Sequence, residues 1–136
     1  MAQDVNSVSQ RSVIIPAKGR ADLLVRALNS VFAQTHRAYE IIVVDDGSEP
    51  PLEPQLPRAL LAKIILLRHS PSRNAAYSRN YGVEYASGEQ LAFLDSDDIW
   101  QPEHLACISS ALKKQPDKLY VTPSTVVPSQ TIGNVY

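Results

Sequence analysis

Five of the fourteen acidic residues stand in two short runs, Asp45-Asp46 and Asp95-Ser96-Asp97-Asp98. Like charges this close destabilise a fold unless something positive is bound among them. Hard divalent cations such as Mg²⁺ and Mn²⁺ take oxygen ligands, and Mg²⁺ commonly combines one or two carboxylates with substrate phosphates. An Asp-x-Asp turn at Asp95 and Asp97 supplies that: two carboxylates on one side, with coordination positions left for a diphosphate. The metal would neutralise charge developing on a phosphate leaving group. The same residues after a strand also make an Asx turn that caps the next helix. Asp46 could accept a hydrogen bond from a nucleobase imide or a ribose hydroxyl while Asp45 orients the turn, or the pair could form a plain Asp-Gly turn with Gly47.

Other chemistries lack their residues. A calcium loop beginning at Asp95 needs Gly at its sixth position and Glu at its twelfth; those places hold Trp100 and Ala106. The chain contains neither the Gly-x-x-x-x-Gly-Lys phosphate loop nor Gly-x-Gly-x-x-Gly. His36, His69 and His104 have no metal-ligand spacing and receive no role. Cys107 shares a helix with Leu105, Ile108 and Leu112 and is expected to be a small core residue, and Trp100 to pack over the Asp turn.

The elements that must position these acids follow from pattern. Ser12 to Pro16, Tyr39 to Val44, Ile64 to Leu67 and Leu91 to Leu94 read as buried strands, the second and fourth emptying into the acidic runs. Apolar positions 23, 24, 27, 28, 31 and 32 give one buried helix face between Ala21 and Gln34. Ala75 to Ala86 has helical composition and ends at Ser87-Gly88. A helix starts near Pro102 and stops before Pro116. Four prolines between residues 49 and 58 imply an irregular connection, and Leu119 to Val121 reads as a fifth strand. Apolar strands alternating with helices mean an α/β fold, a doubly wound and mainly parallel sheet covered on both faces. Such sheets bind ligands outside the carboxyl ends of their strands, where Pro16, Asp46 and Asp95 fall.

Size and charge agree with one domain. The chain has 136 residues, 44% hydrophobic and 20% charged, with thirteen Lys+Arg against fourteen Asp+Glu and a net charge of −1. That balance recommends neither nucleic acid nor a charged membrane surface. One cysteine excludes an intramolecular disulfide. No apolar run nears the roughly 20 residues of a membrane helix, and the polar start has no signal-peptide core. The expected organisation is an extended or disordered N-terminus (1–11), an α/β domain (12–122) and an irregular tail (123–136) that begins a missing half, in a cytoplasmic protein that could lie peripherally at the inner face of a membrane.

Five segments in order now resemble one family, the family 2 glycosyltransferases of GT-A fold. They are Ser12 to Pro16; Ala21 to Leu24 through Ser30 to Thr35; Ile42-Val43-Val44-Asp45-Asp46-Gly47-Ser48; Arg79-Asn80-x-Gly82 with Ala86-x-Gly88-Glu89; and Phe93 to Asp98 followed by Trp100 and Pro102. The resemblance implies a nucleotide-sugar donor, most often a UDP-sugar, with its nucleoside held by Pro16, Ala17, Lys18 and Asp46. It implies Arg79 near the donor and Asp95-Ser96-Asp97 as the family's Asp-x-Asp element. Asp97 would then be the direct ligand of Mn²⁺ or Mg²⁺, with Asp95 nearer the ribose or sugar. The family's reaction is displacement of the nucleoside diphosphate by an acceptor hydroxyl, with inversion and a separate carboxylate base.

Two departures stand out. Ala17-Lys18-Gly19-Arg20 follows Pro16, where the family usually has a Tyr-Asn pair whose ring lies against the base. After Asp98 the only acids are Glu103 and Asp117, neither placed as a base, so the catalytic base is expected outside this chain. The acceptor (sugar, lipid or protein) is unspecified, and a truncated sheet would expose an apolar patch favouring homo-oligomers. A non-catalytic nucleotide-sugar-binding or assembly domain of this fold is the alternative. A receiver-type signalling domain, which wants its Asp pair after the first strand and a Lys after the fifth, is more distant.

Overall fold

A computed structural model describes residues 10–115. Four parallel strands form one sheet: β1 (Arg11–Ala17), β2 (Glu40–Asp46), β3 (Ile65–His69) and β4 (Gln90–Phe93), in the order β3-β2-β1-β4. Helix α1 (Ala21–Phe32) joins β1 to β2, a short α2 (Arg58–Leu61) precedes β3, α3 (Ala75–Tyr85) joins β3 to β4, and α4 (His104–Lys114) follows β4. The chain steps outward from β1 to β3 and then crosses to the other side of β1. The sheet therefore reverses direction beside β1, the switch point at which open α/β sheets open a crevice.

Alternation along the strands sends successive side chains to opposite faces. Val13, Ile15 and Ala17 join Leu24, Ala27, Leu28 and Val31 of α1 and Leu105 of α4 in the larger core. Ile14, Ile42 and Val44 form the smaller one against Tyr81 and Ala86. All seven residues of β1 are buried, as befits a central strand with both faces covered. Arg11, at its start, is 1% exposed. Its guanidinium donates to the Leu105 carbonyl (3.3 Å), Ser109 Oγ (3.0 Å) and Gln90 Oε1 (2.6 Å), which ties α4 and β4 to the sheet. Burial pulls its pKa below the usual arginine value.

Four expectations need correction. Residues 49–58 are not wholly irregular: a 3₁₀ turn spans Glu53–Gln55 and α2 begins at Arg58, burying Leu52, Leu56 and Leu60 against the core. Arg11 belongs to β1 rather than to an extended N-terminus, because neutral acceptors surround its charge. The edge strands are only partly covered, with Ile65 40%, Leu91 43% and Phe93 46% exposed. Cys107 is exposed, since α4 turns Leu105 and Ser109 inward instead. The expected fifth strand at 119–121 and the tail from 123 lie outside the described residues.

Candidate functional site

Because all four strands are parallel, their carboxyl ends share one edge of the sheet, and a cleft of about 510 Å³ opens there. Every sequence-derived site residue lines it: Pro16, Ala17 and Lys18 from the end of β1, Asp46 from β2, Arg79 from α3, and Asp95, Ser96 and Asp97 after β4. Arg20, Ser72, Arg73 and Asn74 join them. Four cationic side chains (Lys18, Arg20, Arg73, Arg79) thus surround three carboxylates (Asp46, Asp95, Asp97), an arrangement suited to an anionic ligand that brings a metal with it.

The two adjacent aspartates divide their work. Asp45, 1% exposed, accepts from the Ser48 amide (3.0 Å), the Leu52 amide (3.1 Å) and Arg68 Nη1 (2.8 Å). Burial opposes its ionisation, but the hydrogen bonds from Ser48, Leu52 and Arg68 outweigh burial and hold its carboxyl below the usual range. It fixes the turn. Asp46 faces the cleft and ties down the loop after β3: Oδ2 accepts from Ser72 Oγ (2.9 Å), and Oδ1 from the Arg73 amide (2.8 Å). His69 Nε2 stands 3.2 Å from the same Oδ1 and 3.0 Å from Ser78 Oγ. A carboxylate offers about four lone-pair positions, so Asp46 keeps room for one more donor. Gly47 makes the closure possible. Its φ is +63°, and a Cβ there would lie 2.6 Å from the Ser72 amide nitrogen.

After β4 the Asp95, Asp97 and Asp98 carboxylates each present an oxygen within 4.8 Å of the others. Three hard oxygen donors converging at an exposed turn fit Mg²⁺ or Mn²⁺. Burial, with Asp97 and Asp95 beside it, pushes the Asp98 carboxyl above the usual range. Asp95 is also held by Arg79, whose Nη2 donates to Oδ1 at 2.7 Å. The Asp98 amide donates to the Asp95 carbonyl (3.0 Å), so the run is a turn as well as a carboxylate cluster.

Three residues escaped the sequence reading. His69 has no metal-ligand spacing in the sequence, yet parallel register sets it directly beside Asp46, a neighbour that alignment of the strand ends reveals. Arg20 and Arg73 carry no motif. Trp100 is half-buried against the larger core, its amide donates to Ser30 Oγ (3.1 Å), and its ring stacks on His104 with centroids 4.5 Å apart. Burial, with Arg11 nearby, lowers the His104 pKa. Trp100 does not line the cleft.

The open parallel sheet, with acidic and basic side chains gathered at its carboxyl edge, is an α/β fold of GT-A type. The sequence profile described as Glycosyl transferase family 2 matches residues 12–132, and the chain belongs to that family. An uncharacterised glycosyltransferase of Rickettsia conorii is 35% identical over 105 residues, 77% of this chain and 17% of the relative. A UDP-Glc:alpha-D-GlcNAc-diphosphoundecaprenol beta-1,3-glucosyltransferase of Escherichia coli, WfgD, is 34% identical over 110 residues, 80% of this chain and 44% of the relative. Residues 1–349 of TarS from S. aureus superpose with a TM-score of 0.71 at 24% identity, covering 88% of this chain and 38% of TarS 1–349. A mannosyltransferase of Pyrobaculum calidifontis in complex with GDP-Man and Mn²⁺ gives 0.67 at 23% identity, covering 93% and 38%. This chain spans less than half the length of each.

Proposed function

We propose that this chain is the donor-binding part of an inverting, metal-dependent glycosyltransferase that uses a nucleoside-diphosphate sugar, UDP-sugar first. The observation that carries the reading is the one cleft lined by Asp46, Asp95 and Asp97 together with Lys18, Arg73 and Arg79, with the Asp98 carboxylate grouped with those of Asp95 and Asp97. The name of the E. coli relative gives UDP-Glc as donor and a diphosphoundecaprenol-linked sugar as acceptor. TarS 1–349 has been solved with UDP-GlcNAc, at 25% identity and a TM-score of 0.66. Both support a uridine donor here, and the E. coli relative supports a lipid-linked acceptor.

In this reading Asp46 accepts from the base imide or ribose, and Pro16 to Lys18 form the floor under the nucleoside. Asp97, helped by Asp95 or Asp98, holds Mn²⁺ or Mg²⁺, which when bound offsets charge on the diphosphate leaving group. Arg79 orients Asp95 and adds positive charge near the donor. The acceptor oxygen forms its bond to the anomeric carbon as the bond to the diphosphate breaks. The diphosphate leaves with the electron pair, and the acceptor proton goes to a carboxylate base. Among the described residues no carboxylate other than Asp46, Asp95 and Asp97 lines the cleft, and Glu103 is engaged with Thr35 Oγ1 at 3.1 Å. The base therefore comes from elsewhere in the enzyme, and this chain alone is expected to bind donor without turning it over. Among the described residues no helix is long and apolar enough to cross a membrane.

Calorimetric titration of UDP in Mn²⁺ and in EDTA tests the reading. Binding that requires Mn²⁺ and disappears in Asp97→Ala is expected; a folded wild type that binds no UDP in either buffer would refute it.

A further inference from the structure

Among the described residues, those lining the cleft include no Phe, Tyr, Trp or His. A nucleobase has two flat faces that lose water on binding, and nucleotide sites commonly recover that cost by stacking the base on a flat partner. The extended planar groups available in the lining are three guanidiniums, and two are otherwise disposed. Arg79 is bound to Asp95 at 2.7 Å, and Arg20 has a side chain 70% exposed, 3.8 Å from Asp22. Lys18 offers charge but no face.

Arg73 is different. Its amide donates to Asp46 Oδ1 (2.8 Å) and the preceding Ser72 hydroxyl to Oδ2 (2.9 Å), so its backbone is fixed against the residue that meets the nucleoside. Its guanidinium carbon lies 4.8 Å from the centroid of the Tyr77 ring. Tyr77 in turn meets His69 edge-on, centroids 4.8 Å apart at 74°. The Arg73 guanidinium thus lies over the Tyr77 ring, which His69 buttresses edge-on. Among the described residues that guanidinium has no carboxylate partner, which leaves its opposite face for a ligand.

We propose that Arg73 is the nucleobase platform of the cleft: its guanidinium, backed by Tyr77, stacks on the base of the nucleoside diphosphate while Asp46 receives a base or ribose donor. The proposal rests on the donor reading above and assigns the base subsite to an arginine where the described lining has no aromatic ring. Loss of the platform should therefore appear as a measurable loss of affinity for the base-bearing ligand.

The test compares UDP with inorganic pyrophosphate, both titrated into the full chain with Mg²⁺. Arg73→Ala is expected to weaken UDP by about tenfold and pyrophosphate by less than about twofold. Arg73→Lys, which keeps the charge and loses the plane, is expected to behave like Arg73→Ala. Arg73 is exposed, so both variants should melt with the wild type. Full UDP affinity in Arg73→Ala or in Arg73→Lys overturns the proposal, as does an equal loss for UDP and pyrophosphate, which would make Arg73 a phosphate contact. A wild type that binds no UDP at all overturns the donor reading itself. UDP binding indifferent to Arg73 overturns only the platform.

Discussion

Asp45 and Asp46 are neighbours in sequence with unlike environments, and the difference is testable. Asp45 is sealed among Ser48, Leu52 and Arg68. Asp45→Asn removes the charge that satisfies Arg68 and should cost about 1–3 kcal/mol at neutral pH, read by chemical denaturation. Its carboxyl sits below the usual range in the folded protein. The network therefore stabilises fully above about pH 4, the ordinary aspartate value, and loses its contribution as pH falls from there through the lowered folded value. Asp45→Asn should flatten the wild type's fall in melting temperature across that acid window; an unchanged slope would assign the acid loss to other groups. At this scale the sequence was informative where residues cluster: Asp46 from the first acidic run and Asp95, Ser96 and Asp97 from the second share one cleft with Arg79. It was mute where a role depends on register or support. Nothing local marks His69 as the neighbour of Asp46, or Arg73 as a residue resting on Tyr77.

Among the elements, α1 was plain from its apolar stripe: Leu24, Ala27, Leu28 and Val31 are buried, joined by Ser30, while Leu23 and Phe32 at the stripe's margins are half-buried. Leu28→Ala should cost about 2–5 kcal/mol, because a fully buried side chain in the larger core leaves a cavity. Helix α3 gave a weaker pattern for a physical reason. It buries Ser78 and Gly82, small residues that let it approach the sheet closely, while Tyr77, Tyr81 and Tyr85 line its flank. A Cβ at Gly82 would stand 2.7 Å from Ile14 Cγ2 and 3.3 Å from Val44 Cγ2, both on buried strands. Gly82→Ala should therefore push α3 away and destabilise by about 1–3 kcal/mol despite alanine's better helix propensity. A stabilised variant would mean that the contact relaxes freely. The segment after β2 misled because its prolines suggest a surface loop, whereas the leucines between them reach the core.

For the molecule as a whole, the parallel order β3-β2-β1-β4 follows from alternating strands and helices, and the site from their shared carboxyl edge. The sequence pattern could not show that β4 would leave Leu91 and Phe93 43% and 46% exposed, since an apolar strand reads the same at an edge as at the centre. Register pairs these residues with Ser12 and Ile14, so both lie on the α3 face of the sheet. Such a surface favours self-association. Leu91→Lys with Phe93→Lys should shift the chain toward monomer in sedimentation velocity, and an unchanged distribution would remove this face from any interface. The central claim, a metal-assisted nucleoside-diphosphate site in the carboxyl-edge cleft, is tested most directly by an amide-resolved NMR titration of UDP with Mg²⁺. The expected result is saturable shifts concentrated at residues 17–20, 46–48, 72–75, 79 and 95–98, all diminished when Mg²⁺ is withdrawn. Saturable shifts centred elsewhere, or none at any concentration, would contradict the account.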